Sequence, residues 1–169
     1  MRNFVVALTA VSALALAGCA SKGPKELPPQ AQTVTDTGPQ TQGPSGPVPG
    51  SNADFLAQMQ GRNVIYFDTD KYDIDAQDAA ALRQQAQWLQ RYPAKRITLE
   101  GHCDERGTRD YNLALGERRA NSAKNYLVSL GVDAGRITTV SYGKERPIAL
   151  GSNEAAWAQN RRAVTITID

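Results

Sequence analysis

The sequence contains a single histidine, His102, and only two cysteines, Cys19 and Cys103. A zinc site needs about four ligands at suitable spacing, so any metal site here would consist mostly of carboxylates. A thiol nucleophile must share a hydrogen bond with its base, yet adjacent residues such as His102 and Cys103 point to opposite sides at a strand end. No second histidine can serve as base. We therefore expect no metal, no cofactor and no enzymatic activity, with a thiol hydrolase or transpeptidase using Cys103 as the alternative.

The chain also lacks a strong net charge and a long hydrophobic run. Its formal net charge of +2 gives no strong attraction to nucleic acid. The extended apolar segment from Phe4 to Ala17 follows a single basic residue, Arg2, and is too short to span a bilayer. A basic start, an apolar stretch and small residues after it are typical of a secretory signal. We predict that residues 1–18 form a signal peptide.

Cys19 ends the sequence Leu16-Ala17-Gly18-Cys19, which resembles the bacterial lipobox. The resemblance implies cleavage before Cys19, a diacylglyceryl group on its thiol and acylation of the new amine. More than one acyl chain gives stable membrane anchoring. The second residue after Cys19 is Ser21 rather than Asp, which favours delivery to the outer membrane. We expect a lipid anchor in the outer membrane with the domain facing the periplasm, and Cys103 then has no disulfide partner and serves as a small buried side chain.

Proline is concentrated directly after this cysteine. Seven of the nine prolines lie in residues 20–52, where the only large apolar residues are Leu27, Val34 and Val48. Such a segment cannot bury enough apolar surface to offset the entropy of ordering it. We predict that residues 19–53 are a lipidated cysteine with a disordered tether, and that residues 54–169 form one domain.

The rest of the chain alternates between strand and helix patterns. Four short runs have the β-branched or alternating character of strands. These runs are residues 63–67, 95–101, 136–142 and 163–168. A short helical turn near residues 154–160 precedes the last run.

Two longer segments have apolar residues at helical spacing. The first begins after Asp75, a predicted N-cap with Asp78 three positions on in a variant of the capping box, and ends before Pro93. The second runs from about residue 109 to 130, with Gly131 suited to its C-terminal end. The order β-α-β-α-β-β predicts an α/β (α+β) sandwich, in which a mixed sheet has helices on one face.

Two aspartates follow predicted strands. Asp70 lies just beyond the first strand, and Asp104 follows the second directly. If these strands run parallel as neighbours, both carboxylates lie at one edge of the sheet, where ligands of α/β sheets often bind. We expect the two carboxylates to form one side of a pocket.

The second long helix carries the other polar groups. Leu115 and Arg119 lie three and seven positions after Asn112, so at about 100° per residue the three fall within roughly 60° of one another. They share a stripe near the loop that carries Asp104, whereas Arg118 points toward solvent. The predicted pocket therefore offers two carboxylates, a guanidinium and an amide. The alternative is that Asp104 and Arg119 form only a structural salt bridge, and spacing alone does not decide between the two.

Three stretches of the sequence resemble a known family. LEGHCDERGTRDYNLALGERRANSAKNYLVSLGV resembles the core motif of the C-terminal domain of outer membrane protein A. YFDTDKYDI and VSYGKERP are similar to its peptidoglycan-associated lipoprotein branch, which also has the order of lipobox, tether and domain. The resemblance implies an OmpA-like fold and non-covalent binding of the peptidoglycan stem peptide at its meso-diaminopimelate residue.

The resemblance also implies roles for individual residues. Asp104 contacts the ligand's ammonium group and Arg119 its carboxylate, with Asp70, Asn112 and Leu115 as further contacts. An arginine fork matches a carboxylate in two parallel bonds, and a lysine-containing stem peptide lacks that carboxylate. The position of Cys103 is often Thr or Ala in the family, so binding does not require a thiol.

The family further implies a protein partner, the periplasmic propeller protein TolB, with other Tol-Pal components and a role in envelope integrity and cell division. Residues 141–147 and 151–163 are either surface elements for that partner or simply loop and core, with Trp157 expected to be buried. A third possibility is an envelope scaffold that binds only proteins. Changing Asp104 or Arg119 would then leave retention on the cell wall unchanged.

Overall fold

A computed structural model describes residues 46–168, and the bounds of its elements agree closely with the sequence patterns. In chain order the elements are α1 (Asn52–Met59), β1 (Val64–Tyr66), α2 (Ala76–Arg91), β2 (Arg96–His102), α3 (Arg109–Ser129), a 3-10 turn (Ala134–Arg136), β3 (Ile137–Gly143), α4 (Glu154–Asn160) and β4 (Arg162–Ile168). Each predicted strand lies within one residue of the observed one. The predicted signal peptide, Cys19 and most of the predicted tether lie outside the described residues.

The four strands form one mixed sheet in the order β1-β4-β2-β3. β4 pairs antiparallel with both β1 and β2, and β2 pairs parallel with β3. The premise that β1 and β2 are neighbours is wrong, because the last strand of the chain inserts between them. Since both are antiparallel to β4, they still point the same way, and their carboxyl ends lie at the same edge of the sheet.

Within the part of the chain that the structure describes, one apolar core lies between the sheet and the helices α1, α2 and α3. Ile97 and Leu99 of β2 are buried in it, while the alternate residues Thr98 and Glu100 are only half-buried. The predicted sandwich with helices on one face is confirmed. The connection from β3 to β4 contains α4, where a short helical turn was predicted. The predicted order β-α-β-α-β-β therefore omits this helix.

Helix α1 was not predicted. It begins at Asn52, two residues before the expected start of the domain, and Ser51 caps it by accepting a hydrogen bond from the backbone N–H of Asp54. Phe55 and Met59 anchor it in the core. Three large apolar residues in eight positions give too short a pattern for a sequence-based prediction.

Helix α2 begins as predicted, with the Asp75 side chain accepting from the Asp78 N–H at 2.7 Å. The other half of the predicted capping box differs, because Asp78 Oδ1 accepts from the backbone N–H of Tyr66 in β1. Asp78 therefore ties α2 to the edge strand. Within residues 46–168, no helix is long and apolar enough to cross a bilayer.

Helix α3 lies against β2 at a contact between two glycines. A Cβ atom built on Gly101 would overlap the backbone carbonyl of Gly116, and one on Gly116 would overlap the Ser141 side chain. Only glycine permits this approach. The contact sets the first two turns of α3 beside the end of β2, where the functional groups gather.

Candidate ligand-binding site

An open pocket lies at the edge of the sheet where β1 and β2 end and α3 begins. It has a volume of about 280 Å³, which suits the end of one ligand side chain rather than a large ligand. Its lining consists of Thr69, Asp70, Cys103, Asp104, Arg106, Gly107, Tyr111, Asn112, Leu115, Arg119 and Arg161. Two carboxylates and three guanidiniums among these give it a formal charge of +1 (three minus two).

The five residues selected from the sequence all line this pocket. Asp70 and Asp104 arrive from the ends of β1 and β2, and the α3 stripe supplies the other three, Asn112, Leu115 and Arg119. Arg118, one position from Arg119, is exposed, and its guanidinium lies 5.9 Å from the centre of the Tyr72 ring. The helical geometry therefore separates the two arginines as predicted.

Asp104 is buried, and two arginines hold its carboxylate. Arg106 donates from Nε to Oδ1 at 3.0 Å and from Nη2 to Oδ2 at 2.6 Å. Arg161 Nη1 donates to Oδ2 at 3.5 Å. Burial raises the pKa of Asp104, but the hydrogen bonds from the arginines outweigh this and hold its pKa below the ordinary value. The carboxylate is therefore ionised at neutral pH.

Arg119 is fully buried and bonds to the main chain rather than to Asp104. Nε donates to the carbonyl of Lys71 at 2.9 Å, Nη1 to that of His102 at 2.8 Å and Nη2 to that of Asp68 at 3.0 Å. These bonds use three of its five N–H donors, and two are left for a ligand or for the nearby Cys103 sulphur. Burial lowers the pKa of Arg119.

The expected alternative, a salt bridge between Asp104 and Arg119, is wrong. Among the described residues, Asp104 pairs with Arg106 and Arg161. Arg119 instead donates hydrogen bonds to three carbonyls, because the turn after β1 and the end of β2 both place backbone oxygens within its reach. Arg119 thus forms the floor of the pocket and joins the segments that carry Asp70 and Asp104.

Asp70 forms the exposed rim of the pocket. Its backbone is left-handed, with φ of 57°, a conformation that aspartate tolerates better than most residues. Tyr111 donates from its hydroxyl to Asp70 Oδ1 at 3.1 Å. This bond links the turn after β1 to the start of α3 across the mouth of the pocket.

Asn112 and Leu115 have different tasks in the same stripe. The Asn112 side-chain amide donates to the carbonyls of Arg106 at 2.6 Å and Thr108 at 3.1 Å. It therefore shapes the loop between β2 and α3. Leu115 is buried and supplies an apolar wall.

Sequence reasoning missed two of the three arginines. Arg106 stands two positions after Asp104, and the short spacing in Asp-Glu-Arg was the only available signal. Arg161 follows α4, and its contact with Asp104 spans 57 positions, which no local pattern reveals. Trp157 was expected to be buried but is only half-buried, with Arg106 over its ring at 4.2 Å and its indole N–H donating to Glu105.

Cys103 and His102 do not form a nucleophile pair. Cys103 lines the pocket, and its thiol donates to the Asn112 carbonyl at 3.3 Å. Burial raises the pKa of the thiol to about 11, so it is protonated at neutral pH and a poor nucleophile. His102 stacks on Tyr142 instead, and burial with the nearby Arg162 and Arg146 lowers its pKa to about 4.

Within residues 46–168, no cluster of three or more His, Cys, Asp or Glu residues could hold a metal ion. Among these described residues, neither ring nitrogen of His102 has a hydrogen-bond partner. With its pKa lowered to about 4, the His102 imidazole is neutral at pH 7. The 3.5 Å distance between His102 Nε2 and Glu100 Oε2 is therefore a weak contact rather than an ion pair. The chemistry that the pocket offers is recognition of charge by ionised and hydrogen-bonding groups.

Comparison with known proteins places this geometry in a family. The model of the OmpA family matches residues 66–161, a span that includes the whole pocket lining. The peptidoglycan-associated lipoprotein of Rhizobium meliloti is 50% identical over 161 residues, which is 95% of this chain and 86% of the relative. The protein of that name from Haemophilus influenzae is 51% identical over 110 residues, 64% of this chain and 72% of the relative.

A solved structure agrees with these relatives. The crystal structure of the peptidoglycan-associated lipoprotein from Burkholderia pseudomallei is 44% identical and has a TM-score of 0.64, covering 68% of this chain and all of that one. Sequence, fold and the order of elements thus agree. The chain belongs to the OmpA family and, within it, to the non-enzymatic peptidoglycan-associated lipoprotein branch.

Proposed function

We propose that this protein binds peptidoglycan non-covalently in the pocket, through the ammonium and carboxylate at the end of the meso-diaminopimelate side chain. Asp104 and Asp70 pair with the ammonium, and Arg119 pairs with the carboxylate. Leu115 contacts the methylene chain, and Asn112 holds the loop in place. The names of the relatives support peptidoglycan as the ligand.

The observation that carries this proposal is the presence of oppositely charged groups around one open pocket. Asp104 and Arg119 come from separate elements and are not bonded to each other. Because neither neutralises the other, the pocket lining keeps a group of each sign for a zwitterion. A pocket of about 280 Å³ fits such an end group.

The proposal extends to the anchored protein. A lipid on Cys19 holds the outer membrane, and the pocket holds the cell wall, so that the chain tethers one to the other. TolB and other Tol-Pal components are proposed as partners in envelope integrity and cell division. Family membership supports these partners.

Co-sedimentation with purified sacculi tests the proposal. Asp104→Asn keeps the size of the side chain and removes its charge, so we expect retention to weaken by at least about ten-fold. Glu117→Gln, an exposed position of α3 outside the pocket, makes the same charge change and should bind normally. Equal retention of both variants would contradict the proposal and would favour a scaffold that binds only proteins.

Cys103→Ala addresses the enzymatic alternative in the same assay. Since the thiol is protonated and bonded to the main chain, the variant should bind sacculi as the unmodified protein does. Peptide products released by the unmodified protein and lost in Cys103→Ala would instead indicate a thiol enzyme.

A further inference from the structure

The carboxylate that the proposed function assigns to the ligand's ammonium is already occupied. Arg106 makes two side-chain hydrogen bonds to Asp104, one to each oxygen, and a third bond comes from its backbone N–H at 3.1 Å. A paired fork of this kind is among the stronger charge-assisted contacts. A ligand ammonium must therefore compete with an internal cation.

Of the two arginines at Asp104, Arg106 is the one that can move. Its side chain is 39% exposed, and its other contacts are the Thr69 hydroxyl at 3.1 Å and the face of Trp157. Arg161 is 7% exposed and is fixed by the Phe67 carbonyl and by Glu154. Displacing Arg106 requires no change in the buried framework.

We propose that Arg106 is a specificity residue of the pocket: it occupies Asp104 in the free protein and yields to a ligand ammonium when the ligand also brings a carboxylate for the released guanidinium. This inference rests on the proposed function. It adds an exchange of partners, in which the ligand ammonium replaces Arg106 at Asp104 and the released Arg106 joins Arg119 at the ligand carboxylate.

The exchange explains how one pocket distinguishes two similar stem peptides. The end of diaminopimelate is a zwitterion, so its carboxylate pairs with the displaced Arg106 as well as with Arg119. The end of a lysine side chain is only a cation, which adds to a lining that already has a formal charge of +1 and leaves Arg106 without a partner. Arg106 therefore favours the first ligand and opposes the second.

The test compares the affinities of two soluble stem peptides, one with diaminopimelate and one with lysine, for the purified full chain and for Arg106→Ala. We expect the variant to bind the diaminopimelate peptide about five-fold more weakly and the lysine peptide about five-fold more tightly, as befits a half-exposed ion pair. The ratio of the two affinities then falls by about 25-fold. Arg91→Ala, on α2 outside the pocket, removes one guanidinium as a control and should leave the ratio unchanged.

A second variant guards against loss of structure. Arg106→Lys retains the charge, so it should keep more discrimination than Arg106→Ala. The inference is overturned if the ratio stays constant in Arg106→Ala, whether both affinities rise, fall or stay the same, or if Arg106→Lys discriminates no better than Arg106→Ala. Failure of the unmodified protein to bind the diaminopimelate peptide would overturn the proposed function itself, which separates the two conclusions.

Discussion

Two clefts meet at the turn of residues 68–71 and share Arg161. Each contains one buried aspartate, and the pKa values of the two aspartates are shifted in opposite directions. In the ligand pocket, Asp104 receives hydrogen bonds from Arg106 and Arg161, and its pKa lies below the ordinary value. In the neighbouring cleft, Asp78 Oδ2 has no hydrogen-bond partner among the described residues. Burial there raises the pKa of Asp78 to about 6, with Asp75 adding to the effect.

The difference shows what makes a buried carboxylate useful for recognition. Burial alone favours the protonated, uncharged form, as at Asp78. Guanidinium partners reverse this at Asp104 and keep a charge available at the pocket. Asp78 has a structural task instead, since its other oxygen accepts from the N–H of Tyr66 and fixes the edge strand to α2.

The largest expected effect comes from removing Arg119, the floor of the ligand pocket, which bonds to the turn of residues 68–71 where the two clefts meet. Arg119→Met removes a donor from the carbonyls of Asp68, Lys71 and His102. The Asp68 carbonyl still accepts from the backbone N–H of Lys71 at 3.2 Å, so the main loss falls on the other two. Each unsatisfied buried group costs about 1–3 kcal/mol, so we expect the free energy of unfolding to fall by roughly 2–6 kcal/mol for these two carbonyls. Urea denaturation measures this fall. Arg118→Met is the matched control on the exposed face of α3, and a similar loss in both variants would contradict the structural role of Arg119.

The next effect isolates the cleft with the unpartnered carboxylate. The pKa of Asp78 is about 6 in the folded protein and about 3.8 in the unfolded chain, so its ionisation lowers stability as pH rises from about 4 to about 7. The difference of about 2 pKa units corresponds to about 3 kcal/mol. Asp78→Asn does not titrate, so the stability of the variant relative to the unmodified protein should increase by up to about that amount over this range. A constant difference from pH 4 to pH 7 would show that Asp78 is not the titrating group.

The smallest of the three effects has the opposite sign. The lowered pKa of Asp104 means that its ion pairs contribute stability at neutral pH, and that the contribution is lost as pH falls through the folded pKa. Asp104→Asn should therefore cost about 2 kcal/mol near pH 7, and the cost should shrink in acid. Thermal or urea unfolding across the acid range checks this. A deficit that grows as pH falls would place Asp104 with Asp78 and remove the contrast.

Local sequence patterns predicted the parts of the fold that depend on neighbouring residues. Strand alternation located β2 and β3 within one residue, and helical spacing placed Asn112, Leu115 and Arg119 on one stripe. These patterns succeed because a strand or helix face repeats over a few residues. Helix α1 was not predicted because its buried apolar residues, Phe55 and Met59, form too short a pattern.

The rest of the site depends on contacts between distant residues. The insertion of β4 between β1 and β2 is a matter of sheet topology, which alternation along each strand does not encode. Arg161 contacts Asp104 although the two residues are 57 positions apart. The carbonyls that accept from Arg119 come from two separate segments, which meet only in the folded domain. The sequence therefore indicated five of the residues that line the pocket, but Arg106, Arg161 and the pairing of the charges depend on the tertiary structure.

The contact between Gly101 and Gly116 makes α3 behave as a lever. The helix is about 31 Å long, and Gly116 lies about 10 Å from its first residue, so it serves as the fulcrum. A methyl group added at either glycine would tilt the helix, and a tilt of about 10° would carry its first turn, with Tyr111 and Asn112, about 2 Å from the end of β2. The proposed binding of the wall is thus vulnerable to substitutions at two positions outside the pocket lining.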